Sequence, residues 1–257
     1  MQIRIGLPGS FDTFSAVARD IGAPVLISAN AFWQHARKRF WIPRRQLFNG
    51  VDLAIDSAGF VAMLRYWHYR WPLYKYVDFV KAVAPTWWAA PDYCCEREIA
   101  WNRAEVLSRV TRTAFKLEWT RQVAADTGVP PPMPVLQGWL PDDYERCADM
   151  SPDLHGMIGV GSVCRRPLHG PDGLFAVVER LDRILPTNVT LHLFGVKGNA
   201  ISALASHPRV VSIDSQAWDY AGRLEKKGSF TIEYRSECMR RWAAKQSANL
   251  SRANGTK

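Results

Sequence analysis

The chain has 257 residues, 47% of them apolar, and a formal net charge of +9. That length suits one large domain, the apolar content excludes a disordered chain, and the positive balance points to a polyanionic partner, most often nucleic acid. No apolar run reaches the roughly 18 residues that a membrane span needs and no secretory leader is evident, so a cytoplasmic protein without a membrane partner is expected.

Short apolar runs alternate along the chain with longer segments of helical periodicity. "APVLISAN" (23–30) reads as the first buried strand, and "AFWQHARKRF" (31–40) as helical. "VDLAIDSAGF" (51–60) is the second strand and "YKYVDFVKAVA" (74–84) its helix; "TWWAAPDYCC" (86–95) is the third strand. A long helix is predicted from about Asn102 to Thr127, with Gly128 as its stop and prolines beyond it. "PMPVLQGW" (132–139) is the fourth strand, and "PDDYERCADM" (141–150) is a helix opening on Pro and acids. "HGMIGVGSV" (155–163), "NVTLHLFGV" (188–196) and "RVVSIDSQAW" (209–218) are the fifth to seventh strands. "DGLFAVVERLDRIL" (172–185) and "NAISALASH" (199–207) are the helices between them. "GSFTIEY" (228–234) supplies an eighth strand, "SECMRRWAAKQSA" (236–248) the closing helix, and the tail after about Asn249 is small, polar and frayed.

Strand and helix in alternation give a parallel sheet. Seven or eight such units favour an α/β fold of the (β/α)8 TIM-barrel type, irregular or trimmed at its last strand. An open doubly wound sheet is the alternative, and it would be supported by a G-x-G-x-x-G after the first strand, which is missing. With no repeat, linker or low-complexity segment, residues 1–257 read as one domain.

In a parallel barrel the site lies where the strands end. The polar residues there are Ser28 and Asn30; Asp56 and Ser57; Asp92, Cys94 and Glu96; Gln137; Ser162; Lys197; Asp214 and Ser215. Ala58, Gly59, Gly138, Gly161 and Gly195 accompany them, small enough for a flat ligand to approach the backbone. A lone strand-end Asp is commonly a helix cap. Carboxylates, an amide and glycines on successive strand ends instead make a site for a polar, planar molecule. Two carboxylates in one cleft can divide labour: one attacks a sugar carbon, the other binds a base or moves a proton. The five cysteines contain no C-x-x-C pair, so neither a metal site nor a disulfide framework is expected.

These motifs resemble, in order and spacing over about residues 23–220, those of the tRNA-guanine (queuine/archaeosine) transglycosylases. "DSAGF" (56–60) resembles their D-S-G-G-F/Y, "VLQGW" (135–139) their V-Q-G-G, and "GVGSV" (159–163) their G-L-(S/A)-V-G. "LHLFGVKG" (191–198) is similar to their L-M-G-V-G, "APDYCC" (90–95) to F-D-E-C, and "SIDSQAW" (212–218) stands where they carry D-C-V-x-P-T-R. The resemblance implies a (β/α)8 pentosyltransferase that exchanges guanine in a polynucleotide for a 7-deazaguanine. It makes Asp214 the nucleophile at C1′ and Asp56 the base-binding, proton-moving acid. Asp92 and Gln137, with the backbone around Gly161 and Ser162, would hold the purine edge. Phe60 would stack on the base, and Cys94 would face the site. Ser57, Ala58, Gly59 and Gly138 complete the base-binding motifs.

The departures are informative. The zinc cluster of the tRNA enzymes has no counterpart, the P-T-R is replaced by Gln216-Ala217-Trp218, and the chain is shorter. The compact, zinc-free pattern looks like the bacteriophage (DpdA-like) branch that places 7-deazaguanines such as preQ0 in DNA and so evades host restriction. DNA is then the expected partner, the free 7-deazaguanine a co-substrate, and no other cofactor is needed. A homodimer or accessory phage proteins are further possible partners. A tRNA substrate, or a non-catalytic nucleic-acid-binding barrel, is the alternative. The basic positions expected to meet phosphate are Arg44, Arg45, Arg70, Arg165, Arg166 and Lys197. "RYWHYRWPLYKY" (65–76) fits a strand-binding surface as well as an amphipathic segment packed on the barrel.

Overall fold

The computed structural model describes residues 1–225 and 230–255, with the side chains at 45, 199, 254 and 255 outside the description. The chain begins with β1 (Gln2–Gly6), α1 (Phe11–Asp20) and β2 (Val25–Ser28). A small hairpin of β3 (Trp33–Gln34) and β4 (Arg39–Phe40) precedes β5 (Leu53–Asp56), the single turn α2 (Gly59–Val61) and α3 (Leu73–Val83). Then come β6 (Trp87–Trp88), α4 (Arg103–Thr127), β7 (Val135–Leu136), α5 (Pro141–Asp149), β8 (Met157–Val160) and α6 (Leu174–Ile184). The chain ends with β9 (Thr190–Leu193), α7 (Gly198–Leu204), β10 (Val210–Ser215), α8 (Ala217–Glu225) and α9 (Ile232–Gly255).

Eight parallel strands form one sheet in the order β6-β5-β2-β1-β10-β9-β8-β7. Its two edges meet. Met133 N donates to Trp88 O at 2.8 Å and Ala90 N donates to Met133 O at 3.0 Å, a parallel bridge between Ala89 and Met133. The sheet thus curls into an irregular (β/α)8 barrel, thinnest where the two-residue strands β6 and β7 face each other.

The expected barrel is present, but one of its strands lies elsewhere. The segment 228–234 is not the eighth strand: Ile232 already begins α9, and residues 228 and 229 lie outside the described residues. The missing strand is β1, at the opposite end of the chain, paired with β10 from Gln2↔Ser212 to Ile5↔Ser215. β10 is the longest of the described strands, at six residues. The helix expected over 31–40 is instead a 3-10 turn (Ala29–Phe32) and the β3–β4 hairpin. Trp33 and Phe40 pair across that hairpin, with ring centroids 4.9 Å apart. α9 continues to Gly255; residues 256 and 257 lie outside the described residues.

The long helix matches its sequence signals. Asn102 Oδ1 accepts from Glu105 N at 3.1 Å to cap the start of α4. Gly128, at φ +66°, ends it in the left-handed conformation that glycine adopts without strain. Two apolar layers hold helices against the sheet, one built on α1, α3 and the β1–β2–β5 side, the other on α5, α6, α7 and the β8–β9–β10 side. Each fully buried Leu, Ile or Phe contributes roughly 1.5–3 kcal/mol.

Arg4 is buried inside the barrel. Its guanidinium donates to Val25 O and Asp52 O at 3.3 and 3.1 Å, pairs with the Asp52 carboxylate at 2.9 Å, and lies 5.0 Å from the Trp87 ring centroid. Arg4→Ala strips these acceptors and is expected to cost about 3–5 kcal/mol, read as a lowered urea midpoint with an unchanged m-value.

Candidate active site

The strand ends open into a cavity of about 480 Å³. Its walls come from many strands: Gly6 at the end of β1 and Leu7 after it, Ser28 from β2, Asp56 from β5, Asp92 and Glu96 after β6, and Gln137 after β7. Gly161 and Ser162 follow β8, Phe194 and Lys197 follow β9, and Asp214 lies on β10. The geometry explains why the polar residues lie far apart in sequence. A parallel barrel gathers every C-terminal strand end on one face.

Asp92 is the most heavily bonded acid of the cavity. Ser57 Oγ donates to its Oδ1 at 2.7 Å, Gln137 Nε2 donates to its Oδ2, and the Tyr69 hydroxyl donates to its backbone carbonyl at 2.8 Å. The chain of bonds continues through Ser162, whose Oγ donates to Gln137 Oε1 at 2.6 Å and accepts from Cys95 N at 2.7 Å. Burial raises the Asp92 pKa, and the bonds from Ser57 and Gln137 oppose it. Two glycines make room for this pair. A Cβ on Gly59 would fall on the Asp92 carboxylate, and one on Gly161 would fall on the Gln137 amide. Ala58 (φ 71°) and Ser162 (φ 55°) take left-handed backbone beside the same pair, a strain characteristic of functional turns.

Asp56 has weaker support. It accepts from Ala58 N at 3.1 Å. Burial, with the negative charges of Asp92 and Asp214 nearby, pushes its pKa up to about 7. Asp214 accepts from Gly195 N at 2.8 Å. Gly195 has φ +67°, and its missing side chain leaves room for Cys164. Below Asp214, His192 Nε2 stands 3.4 Å from Oδ1 and makes no hydrogen bond. His192 Nδ1 lies 2.9 Å from Ser212 Oγ. Burial lowers the His192 pKa, which favours the neutral ring.

Fifteen of the predicted positions line the cavity: Ser28, Asp56, Gly59, Phe60, Asp92, Cys94, Glu96, Gln137, Gly161, Ser162, Arg165, Gly195, Lys197, Asp214 and Ser215. Ser57 and Ala58 are buried behind it, one bonded to Asp92 and the other to Asp56. Gly138 faces away: a Cβ there would meet Asp143 and Tyr144 of α5, so its smallness serves helix packing. Arg166 does not belong to the basic rim. It is buried, and its guanidinium donates to the carbonyls of Ser162, Gly138 and Asp172 at 2.6, 2.9 and 2.7 Å. That bonding leaves it a structural clamp between the loops after β7 and β8. Arg165 is exposed, pairs with Glu96 and Glu98, and lies 5.4 Å from the Phe60 ring centroid.

Arg70 is exposed beside the Tyr66 ring, and Arg44 is exposed away from the cavity lining. The side chain of Arg45 lies outside the described residues. Sequence reading missed Gly6 and Leu7 with their strand, and also Phe194, Tyr220 and the Tyr69 hydroxyl. Cys164 also lines the cavity, half-buried, its pKa pushed up to about 12 by burial. Among the described residues no group of three or more His, Cys, Asp or Glu side chains is arranged to hold a metal ion, and no helix is long and apolar enough to cross a membrane.

The elevated acid predicts a pH-dependent stability. The folded chain holds the Asp56 proton up to about pH 7, whereas the unfolded chain releases it near 3.8. The folded state therefore binds more protons between those values, and stability falls as pH rises through that window. Asp56→Asn removes the penalty. The variant is expected to be more stable than wild type by about 2–4 kcal/mol at pH 8, with the gain vanishing near pH 4, read from melting curves at both values.

Compared with known families, the chain matches the family model DpdA, DeoxyPurine in DNA protein A, over residues 15–255. No curated protein matches it.

Proposed function

We propose, from the premise that this chain belongs to the DpdA family, that it exchanges guanine in DNA for a 7-deazaguanine through a covalent glycosyl-aspartate. The family's description names a deoxypurine in DNA, which favours DNA over tRNA as the polymer. One observation carries the mechanism: Asp56 and Asp214 line one cavity, and Asp56 still holds its proton near neutral pH.

In this reading the Asp214 carboxylate attacks C1′ of the target deoxyribose. The C1′–N9 bond breaks, its electron pair stays on N9, and Asp56 supplies the proton that lets neutral guanine leave. The incoming 7-deazaguanine then gives its N9 proton to ionised Asp56. Its N9 displaces Asp214 from C1′, restoring both acids. No cofactor enters this balance. Guanine offers N–H donors along its Watson–Crick edge, and the Asp92 carboxylate, held in place by Ser57 and Gln137, supports their recognition. Phe60, exposed at the mouth, is the ring for stacking, and Lys197, also exposed there, is a cation for a flanking phosphate. A guanine inside a duplex hides C1′ from a strand-end acid, so the nucleotide must be flipped out or single-stranded, at a cost of about a few kcal/mol. The biological setting that fits is the cytoplasm of a phage-infected host, where such a base would shield DNA from nucleases. A non-catalytic binder has no use for a crowded acid cluster where polymer phosphates must pass.

The test is exchange of labelled guanine from DNA in the presence of preQ0. Wild type is expected to release label and Asp214→Ala to release none; equal release by both would refute the nucleophile. Asp56→Asn is expected to slow exchange by about 10²–10⁴-fold. The wild-type rate should fall as pH rises past about 7, where Asp56 loses its proton. Gly161→Ala, which displaces the Gln137 amide, is expected to abolish binding of the free base in calorimetry while Asp214→Ala retains it.

A further inference from the structure

The aromatic and basic run at 65–76 divides in the structure. Tyr69 is tied to Asp92, and Trp71 and Tyr76 are buried. Trp67 instead points outward, 67% exposed, with the Arg109 guanidinium 5.8 Å from its ring centroid. Arg109 belongs to α4 and donates to Cys94 O at 2.7 Å, so this contact sits at the lip of the cavity.

The same helix carries the pattern outward. Tyr93, next to Asp92, donates its N–H to Thr113 Oγ1 at 3.0 Å, and the Arg112 guanidinium lies 4.0 Å from its ring centroid. One turn on, the Lys116 amine lies 4.2 Å from the centroid of Trp119, itself exposed. Arg112 and Lys116 are four residues apart, a spacing at which like charges repel. The ion pairs of α4 are Arg103–Asp143, Glu105–Arg109 and Glu118–Arg121; among the described residues neither Arg112 nor Lys116 has one. Burial and the Arg112 charge together lower the Lys116 pKa. Two crowded cations without acids, each against a ring, are complementary to an anion that also offers flat faces.

We propose that the outer flank of α4 is a track for single-stranded nucleic acid leaving the cavity, with Trp67, Tyr93 and Trp119 as base platforms and Arg112 and Lys116 as phosphate contacts. Stacking on rings suits any base, and cations follow the backbone, so the track holds a strand without reading its sequence. A protein partner would match the rings but leave the two cations without counter-charge unless it brought acids to both. The proposal rests on the DNA reading for its substrate, but its own readout is binding and not exchange.

The experiment measures anisotropy of labelled single-stranded DNA with the full chain, using an oligonucleotide of about 20 nucleotides and one of about 5. Trp119→Ala is expected to weaken binding of the long strand about tenfold. The double variant Arg112→Ala/Lys116→Ala should weaken it comparably and flatten the salt dependence by about 1.4 log units per log unit, two phosphates at roughly 0.7 each. Binding of the short strand and the melting temperature should not change. Unchanged affinity and salt slope on the long strand would overturn the track. So would sedimentation showing a dimer that Phe115→Ala/Trp119→Ala splits while DNA binding stays intact, because the flank would then be a contact between copies. If exchange fails in wild type while these binding losses hold, the exchange reading falls and the track stands.

Discussion

Four carboxylates, Asp56, Asp92, Glu96 and Asp214, line one cavity, and their burial, with the charges of Asp92 and Asp214 beside Asp56, governs the rest of the site. Crowded acids in a poorly solvated space cannot all ionise without help. The protein gives each aspartate a different kind of help. Asp92 takes hydrogen bonds from Ser57 and Gln137, Asp214 takes the Gly195 N–H, and Asp56 has the Ala58 N–H against two nearby negative charges. Unequal environments separate like residues into unlike roles. Burial holds both Asp56 and Asp92 above the ordinary carboxylate range, Asp56 at about 7, and in the proposed exchange Asp56 is the acid that must give up its proton.

The same constraint explains the local backbone. Asp92 and Gln137 reach across the strand ends to meet, and the loops around them must not fill that space. Gly59 and Gly161 leave it open, and Ala58 and Ser162 accept left-handed backbone to turn sharply past it. A non-glycine residue in that region costs roughly 1–2 kcal/mol. Left-handed non-glycine residues also stand at the ends of α1 and α3, at Ser10 and Ala84, but there they only turn the chain, whereas Ala58 and Ser162 border the polar pair.

How far this was legible follows from which signals are local. Seven of the eight barrel strands are apolar runs with polar ends, and period and punctuation mark them in the sequence. β1 breaks the pattern because Arg4 takes an interior position that hydrophobic patterning reserves for apolar residues. A short apolar segment at the far end, 228–234, then stood in for it. The hairpin at 33–40 was hidden because Trp33 and Phe40 pair across a turn, and neither helical nor strand period runs long enough to mark it. In the site, the acids and glycines were visible as strand-end residues. The role of Arg166 was not: two adjacent arginines look alike in sequence, yet Arg165 faces solvent and Arg166 is enclosed by carbonyls. Tyr69 was equally hidden within a run of rings, since a hydroxyl's partner is a tertiary fact.

Arg4 also shows why the first strand matters to chemistry as well as to closure. β1 pairs with β10, and Arg4 is in register with Asp214. The guanidinium hydrogen-bonds away from Asp214, to Val25 O, Asp52 O and the Asp52 carboxylate, yet its charge still acts on Asp214 through the barrel interior. Between them His192 is buried and lies against Trp87 and Phe194. A protonated imidazole there would pair with Asp214 and hold it back from a sugar carbon; burial works against that state. Arg4 is therefore anchored by other partners, and burial keeps the nearby imidazole neutral. Asp214 keeps electrostatic support from below while its carboxylate remains open to the cavity above, the condition a nucleophile at C1′ requires.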